Sequence, residues 1–190
     1  MSELRTRVAL QAGVEQTALD ALAWDNDWIW QQEVERGDQN PYELIWTTED
    51  EQTEIHYIDD FLLNVPYVLA LGPVAEDTAA QVRTALPTYS WDMVQTLFTA
   101  AQTPAQQVQA LHYAAIAAAP PDSPAVVALF DQAATSPVED VREAVILAIG
   151  YLGWPDLLPI LERVQQSDPL PRVRQSAARM LEGLRLHPAS

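Results

Sequence analysis

The chain has 190 residues, with 27 Asp and Glu against 10 basic residues, all of them arginine, and a formal net charge of −17. It has no cysteine and no lysine, which excludes disulfides, thiol nucleophiles, thiolate metal sites, Schiff-base chemistry and a P-loop lysine. The charge repels phosphate backbones, the apolar runs are far shorter than the roughly 20 residues of a bilayer span, and the opening MSELRTRVALQ has no signal-peptide core; a cytoplasmic protein with no nucleic-acid partner and no membrane span is expected.

The charge is uneven. Residues 1–95 hold 18 acids and 4 arginines, whereas residues 96–190 hold 9 acids and 6 arginines. The first half also carries Trp24, Trp28, Trp30 and Trp46. Residues 2–36 read mainly as helix, with Leu4, Val8 and Gln11 on one face and Leu19, Leu22 and the tryptophans on another. On such a helix Trp24 and Trp28 are neighbours at i and i+4, with Asp27 and Trp30 turned elsewhere. Residues 37–41 (GDQNP) form a turn.

The next stretch alternates. Leu44, Trp46 and Thr48 fall on one face of a strand, with Ile45 and Thr47 on the other. Ile55 and Tyr57 of a return strand oppose Glu54, His56 and Ile58. This predicts a small β-hairpin over about 42–60, closed by a four-residue EDEQ loop. A lone hairpin is marginal in water, so it is expected to pack on the helices. Residues 61–71 (FLLNVPYVLAL) then lead into a helical array, with Pro66 as a break or kink.

From about residue 72 the sequence repeats. Thr103-Pro104, Ser136-Pro137 and Asp168-Pro169 recur at spacings of 33 and 32. A capping oxygen followed by proline is a helix start, because Pro at the first helical position sacrifices no hydrogen bond. Apolar positions follow at helical spacing: Val108, Leu111 and Ala115; Val141, Ala144 and Ala148; Val173 and Met180 with Ser176 between. A second set of starts, Ser90-Trp91, Ser123-Pro124 and Trp154-Pro155, recurs at 33 and 31. Ser90, Ser123 and Ser136 are read as caps, Pro159 as a kink, and the GYLG segment at 150–153 as the turn between two helices. A degenerate first unit opens at Gly72-Pro73. The expected fold is mainly α: a short right-handed α-solenoid of helix pairs, since a pair of about 32 residues cannot bury its apolar face alone. The expected division is residues 1–71, N-terminal helices plus hairpin, and residues 72–190, repeats at about 72–102, 103–135, 136–167 and 168–187.

The segments SPVEDVREAVILAIGYLG and DPLPRVRQSAARMLEGL resemble HEAT-type repeats and are similar to the short HEAT-like units of phycobilin lyase subunits. In that pattern an Asp precedes an Arg by six positions. Asp168 and Arg174 keep both, Ser136 and Arg142 keep the Arg, and Thr103 and Gln109 keep neither. The resemblance implies an architecture and, as an alternative function, phycobilin lyase-like or chromophore handling. There Arg142 and Arg174, at equivalent repeat positions, are the ligand-facing candidates for the propionates of a tetrapyrrole. The competing reading of both arginines is bonding between neighbouring repeats.

The other candidates belong to the first half. His56 with Asp59 and Asp60 is a weak metal signal or a charged hairpin edge; on a strand His56 and Asp60 share a face and Asp59 points away. The tryptophans and Tyr57 are binding anchors or core. Glu49, Asp50, Glu51 and Glu54 are a cation site or a solvated turn. No GxSxG, HExxH, GxGxxG or Walker motif is present, and no cofactor or metal is expected. The reading is a non-enzymatic protein–protein interaction module: an adaptor, scaffold or assembly factor. Its partner-binding set is Trp24, Trp28, Trp30, Trp46, His56, Tyr57, Asp59 and Asp60, meeting a protein with a basic surface, and pairing with a second copy stays open.

Overall fold

The computed structural model describes residues 4–38 and 40–186. The first residues of the expected N-terminal helix and His187, at the end of the last expected repeat, lie outside these. The chain divides into two units, residues 1–89 and 90–190.

The first unit is built on a sheet, which corrects the expectation of a mainly helical N-terminus with an isolated hairpin. Its strands are β1 (Arg5–Ala9), β2 (Ile29–Val34), β3 (Tyr42–Thr47), β4 (Glu54–Asp60) and β5 (Val65–Leu71), in the antiparallel order β1-β5-β4-β3-β2. The predicted hairpin is the β3–β4 pair. Its register sets Leu44 opposite Tyr57 and Trp46 opposite Ile55, in keeping with the expected alternation of each strand, but its connection spans six residues, 48–53. Residues 61–71 do not lead into helix. They form a turn and then β5, in which Pro66 stands opposite Asp59 and breaks nothing, since a strand tolerates its fixed φ.

One sheet face carries Val8, Leu44, Trp46, Ile55, Tyr57 and Val68. It packs against Leu19, Leu22 and Ala23 of α1 (Gln16–Asp25) and Ala79 and Val82 of α2 (Ala75–Ala85). The degenerate first repeat expected from Gly72 is thus a helix of the sheet unit, packed on β1 and β5.

The helix expected over 2–36 exists only as α1. It stops because Asp27 adopts the left-handed conformation, φ 53°. Its N–H donates to the Trp24 carbonyl (3.3 Å) and that of Trp28 to the Ala23 carbonyl (2.8 Å). This is a Schellman C-cap with Asp where glycine is usual, so the chain leaves the helix at Asn26 and enters β2.

The second unit contains three helix pairs: α3 (Trp91–Ala100) with α4 (Pro104–Ala117), α5 (Ser123–Ala133) with α6 (Glu139–Leu152), and α7 (Leu158–Ser167) with α8 (Pro171–Leu186). Helices α4, α6 and α8 pack side by side. Ser90 caps α3, and Thr103 with Gln106 forms a capping box on α4. The other expected caps differ. Ser123 is already helical, and its hydroxyl donates to Asp156 (3.0 Å). Ser136, three residues before α6 begins, accepts at its hydroxyl from the Val138 N–H (3.2 Å). Pro159 lies in the first turn of α7 and kinks nothing, and of the two glycines in 150–153 only Gly153 ends a helix, at φ 64°.

The sequence period reappears as contacts between equivalent positions of successive pairs. Asp131 meets Arg163, Glu139 meets Arg172, and Glu143 accepts from the Ser176 hydroxyl.

Gly72 follows β5 at φ 138°, and a Cβ there would sit 2.4 Å from the Gln52 carbonyl oxygen and 2.7 Å from Thr53 Cα. Gly72→Ala is expected to cost about 3 kcal/mol in urea unfolding, because backbone on both sides must move. Gly37→Ala, which meets nothing within 4 Å, is the control and is expected to change stability by less than about 0.5 kcal/mol. Asp27→Gly is expected to raise stability by up to about 1 kcal/mol by relieving the left-handed Asp, measured as a shift in urea midpoint at unchanged slope.

Candidate functional site

The stop at Asn26 redistributes the WDNDWIW segment. Trp24, on the last turn of α1, is 84% exposed. Trp28 is turned into the core at 8%. Trp30, in β2, stands opposite Trp46 with an edge-on ring contact at 5.4 Å, and it is 47% exposed while Trp46 is buried. Ile29 beside it is also exposed. The expected Trp24/Trp28 pair on one helix face therefore does not exist, since the two rings sit on opposite sides of a helix terminus.

Trp28, Trp46, Tyr57 and Asp60 are inside the unit, and Trp24 and Trp30 remain as the outward aromatics. Burial, and then the Asp59 charge, raise the Tyr57 hydroxyl above the ordinary tyrosine range. Sequence reasoning missed Ile29 and the role of Asn26-Asp27. The signal was present, because Asn and Asp tolerate the left-handed conformation that ends helices.

The acidic residues are mostly engaged. His56 lies between two carboxylates, Nδ1 at 2.6 Å from Glu43 and Nε2 at 3.2 Å from Glu54. His56 and Asp60 do share a strand face, with Asp59 on the other, as the register requires. Asp60 accepts from the Leu62 and Leu63 N–H groups (2.8 and 3.0 Å) in the β4–β5 turn. Asp59 pairs with Arg36 (2.6 Å), whose guanidinium lies 5.9 Å from the Phe61 ring centroid. Asp50 is held below the usual carboxylate range by the Thr48 hydroxyl and then the Gln52 N–H. The 48–53 acids thus include a self-bonded turn. Among the described residues no group of three or more His, Asp or Glu is placed to hold a metal ion.

In the helical unit Arg142 and Arg174 do occupy equivalent places. Arg142 Nη1 donates to the Ser136 carbonyl (2.8 Å) and Arg174 Nη1 to the Asp168 carbonyl (2.6 Å). Arg142 then reaches into the next pair: Nε donates to one Asp168 oxygen (2.6 Å) and Nη2 to the other (3.1 Å). Both residues are buried, and Arg142 links neighbouring repeats. A groove of about 520 Å³ lies over this link, lined also by Ser136, Arg163, Ser167 and Leu170. Arg174 is half-buried at the last of the described pairs.

Burial alone would raise the Asp168 carboxyl. The Arg142 hydrogen bonds, the Leu170 N–H and the two arginine charges outweigh it and hold it below the ordinary 3.8. A depressed folded-state value means the carboxylate contributes stability above the unfolded value, and that this is lost as pH falls through the folded one.

The family model of HEAT repeats matches residues 90–182. No curated protein and no solved structure matches the chain. No helix among the described residues is long and apolar enough to cross a membrane.

Arg142→Met is expected to destabilise the chain by about 3–5 kcal/mol, because it leaves Asp168 buried without its counter-charge. The double variant Arg142→Met/Asp168→Leu is expected to recover most of that at pH 7. Urea midpoints measured from pH 7 to pH 3 should fall further for wild type than for the double variant. The match to the HEAT-repeat model opens at Ser90, where the second unit opens, and runs over its three helix pairs, so that unit is similar to HEAT repeats.

Proposed function

We propose that the chain is a non-enzymatic interaction module, an adaptor, scaffold or assembly factor, that takes a basic protein partner on the acidic, Trp-bearing surface of its first unit. The observation that carries this reading is Trp24, whose indole is 84% exposed in a unit that bears 17 acids and 4 arginines. An exposed Trp gives up a large apolar area and keeps one donor for its partner, which is why Trp is enriched at binding hot spots. Trp30 and Ile29, on opposite faces of β2, add two further exposed apolar side chains to the unit. The carboxylates around them supply on-rate and selectivity for a positive partner rather than most of the affinity.

The HEAT-like unit supports the same reading, because such repeats commonly serve as protein-binding surfaces. A short right-handed solenoid is the arrangement we propose for its pairs. A chromophore-handling role would need arginines open to propionates, and Arg142 already gives three donors to Ser136 and Asp168.

The test is affinity capture from an extract of the source organism, followed by kinetics on the captured protein. Trp24→Ala/Trp30→Ala is expected to weaken binding by at least tenfold and to cost about 1–2 kcal/mol in unfolding through the lost Trp30–Trp46 ring contact, whereas Trp24→Ala alone is expected to stay within about 0.5 kcal/mol of wild type. Raising ionic strength from 50 to 300 mM is expected to slow association more than it speeds dissociation. A captured partner indifferent to both the variant and salt would remove this surface from the interaction.

A further inference from the structure

We propose that β2 is a docking edge, and that an extended basic segment of the partner pairs with it as a sixth strand of the sheet. The proposal rests on the acidic, aromatic reading above and adds its geometry.

The two edges of the sheet are treated differently by the chain. The outer edge of β1 is partly covered by residues 87–89. Gln11 N–H donates to the Pro87 carbonyl (2.9 Å), Tyr89 N–H donates to the Ala9 carbonyl (2.9 Å), and Leu10 bridges Thr88. At the opposite end of the sheet, β2 pairs with β3 alone, and five of its six residues are exposed, with Val34 half-buried. An open edge offers a row of main-chain donors and acceptors to any strand that fits. Proteins blunt such edges with lysine, proline or charge. β2 has neither lysine nor proline, and its exposed residues include Ile29 and Trp30. It does carry Glu33 and a register shift between Trp30 and Gln32.

The charge decides the occupant. Asp25, Asp27, Glu35 and Asp38 flank β2 along the chain and Glu33 lies within it, and the nearest cation along the sequence, Arg36, is turned to Asp59 and Phe61. A second copy would bring the same carboxylates against these, whereas a basic strand neutralises them. The deterrent is therefore selective. The register fixes the pattern a partner must present. Trp30 and Glu33 pair with Trp46 and Leu44, so they stand on the same sheet face, the one under α1. The register shift brings them to the separation of residues two apart on an unshifted strand. An incoming strand meets them with an apolar residue and, two positions along, an arginine or lysine. Main-chain hydrogen bonds then give affinity and these two side chains give selectivity.

The experiment is amide-resolved NMR of the full chain titrated with a synthetic octapeptide. One face of this peptide alternates valine and arginine, and the other is threonine. Two control peptides replace arginine by glutamate or carry methyl groups on the backbone nitrogens. The arginine peptide is expected to shift the amides of residues 29–34. Both controls are expected to bind at least tenfold more weakly, and Glu33→Arg to exchange the preference between the two charged peptides. Equal binding of the methylated peptide would overturn strand pairing while leaving the acidic, aromatic surface as the site. An arginine peptide that leaves residues 29–34 unshifted also overturns the proposal, and the broader reading then stands or falls on the Trp24→Ala/Trp30→Ala capture. Self-association that shifts these amides without peptide would give the edge to a second copy and overturn the basic partner.

Discussion

Two backbone hydrogen bonds at the end of α1, from Asp27 to Trp24 and from Trp28 to Ala23, govern the architecture of the first unit. They reverse the chain within three residues. Trp28 enters the core, β2 begins at Ile29 to complete the sheet, and Trp24 is left pointing outward. A helix continuing through this point would place Trp24 and Trp28 on one stripe and leave β3 with an open edge. The left-handed Asp27 is a small local strain, accepted because the buried Trp28, Trp46 and Leu22 over-determine the path.

The acidity of the first unit is organised around that path. Where carboxylates approach the interior they have partners: Asp60 takes two turn N–H groups, and Glu43 takes His56. Those near Trp24 and Trp30 belong to the surface, where solvent screens them and their net contribution to stability is small. In the interaction proposed above their effect falls on association, through the potential they set around two exposed indoles.

The helical unit depends on a different constraint. A pair of short helices has more apolar surface than it can cover, so each pair needs its neighbour, and the neighbour must be in register. The Arg142–Asp168 link serves that register. It is bidentate, buried and joined to the Ser136 carbonyl and Leu170 N–H, so a shifted pair would strand both charges. Such a link adds less net stability than an apolar contact of equal volume, but it penalises misalignment heavily. The surface contacts one repeat apart, such as Asp131 with Arg163, follow the same register at lower stakes.

The sequence by itself determined much of the local structure. The 32–33-residue period, the Thr103 cap and the alternation of Leu44 with Trp46 and of Ile55 with Tyr57 follow from spacing and side-chain type. Bonding of Arg142 to a neighbouring repeat was one of two readings of its repeated position, and the fold supplied its partner, Asp168. Tertiary structure decided the rest. β1, β2 and β5 carry Arg7, Gln31 or Pro66 inside them, which obscures the strand pattern, so pairing settled their strand character. α2 has a sound helical pattern, yet packing places it on the sheet and not in the array. Which tryptophan faces outward was likewise undecided by composition, because Trp serves core and surface equally well. That choice fell to one left-handed residue and to which edge of the sheet the chain left uncovered.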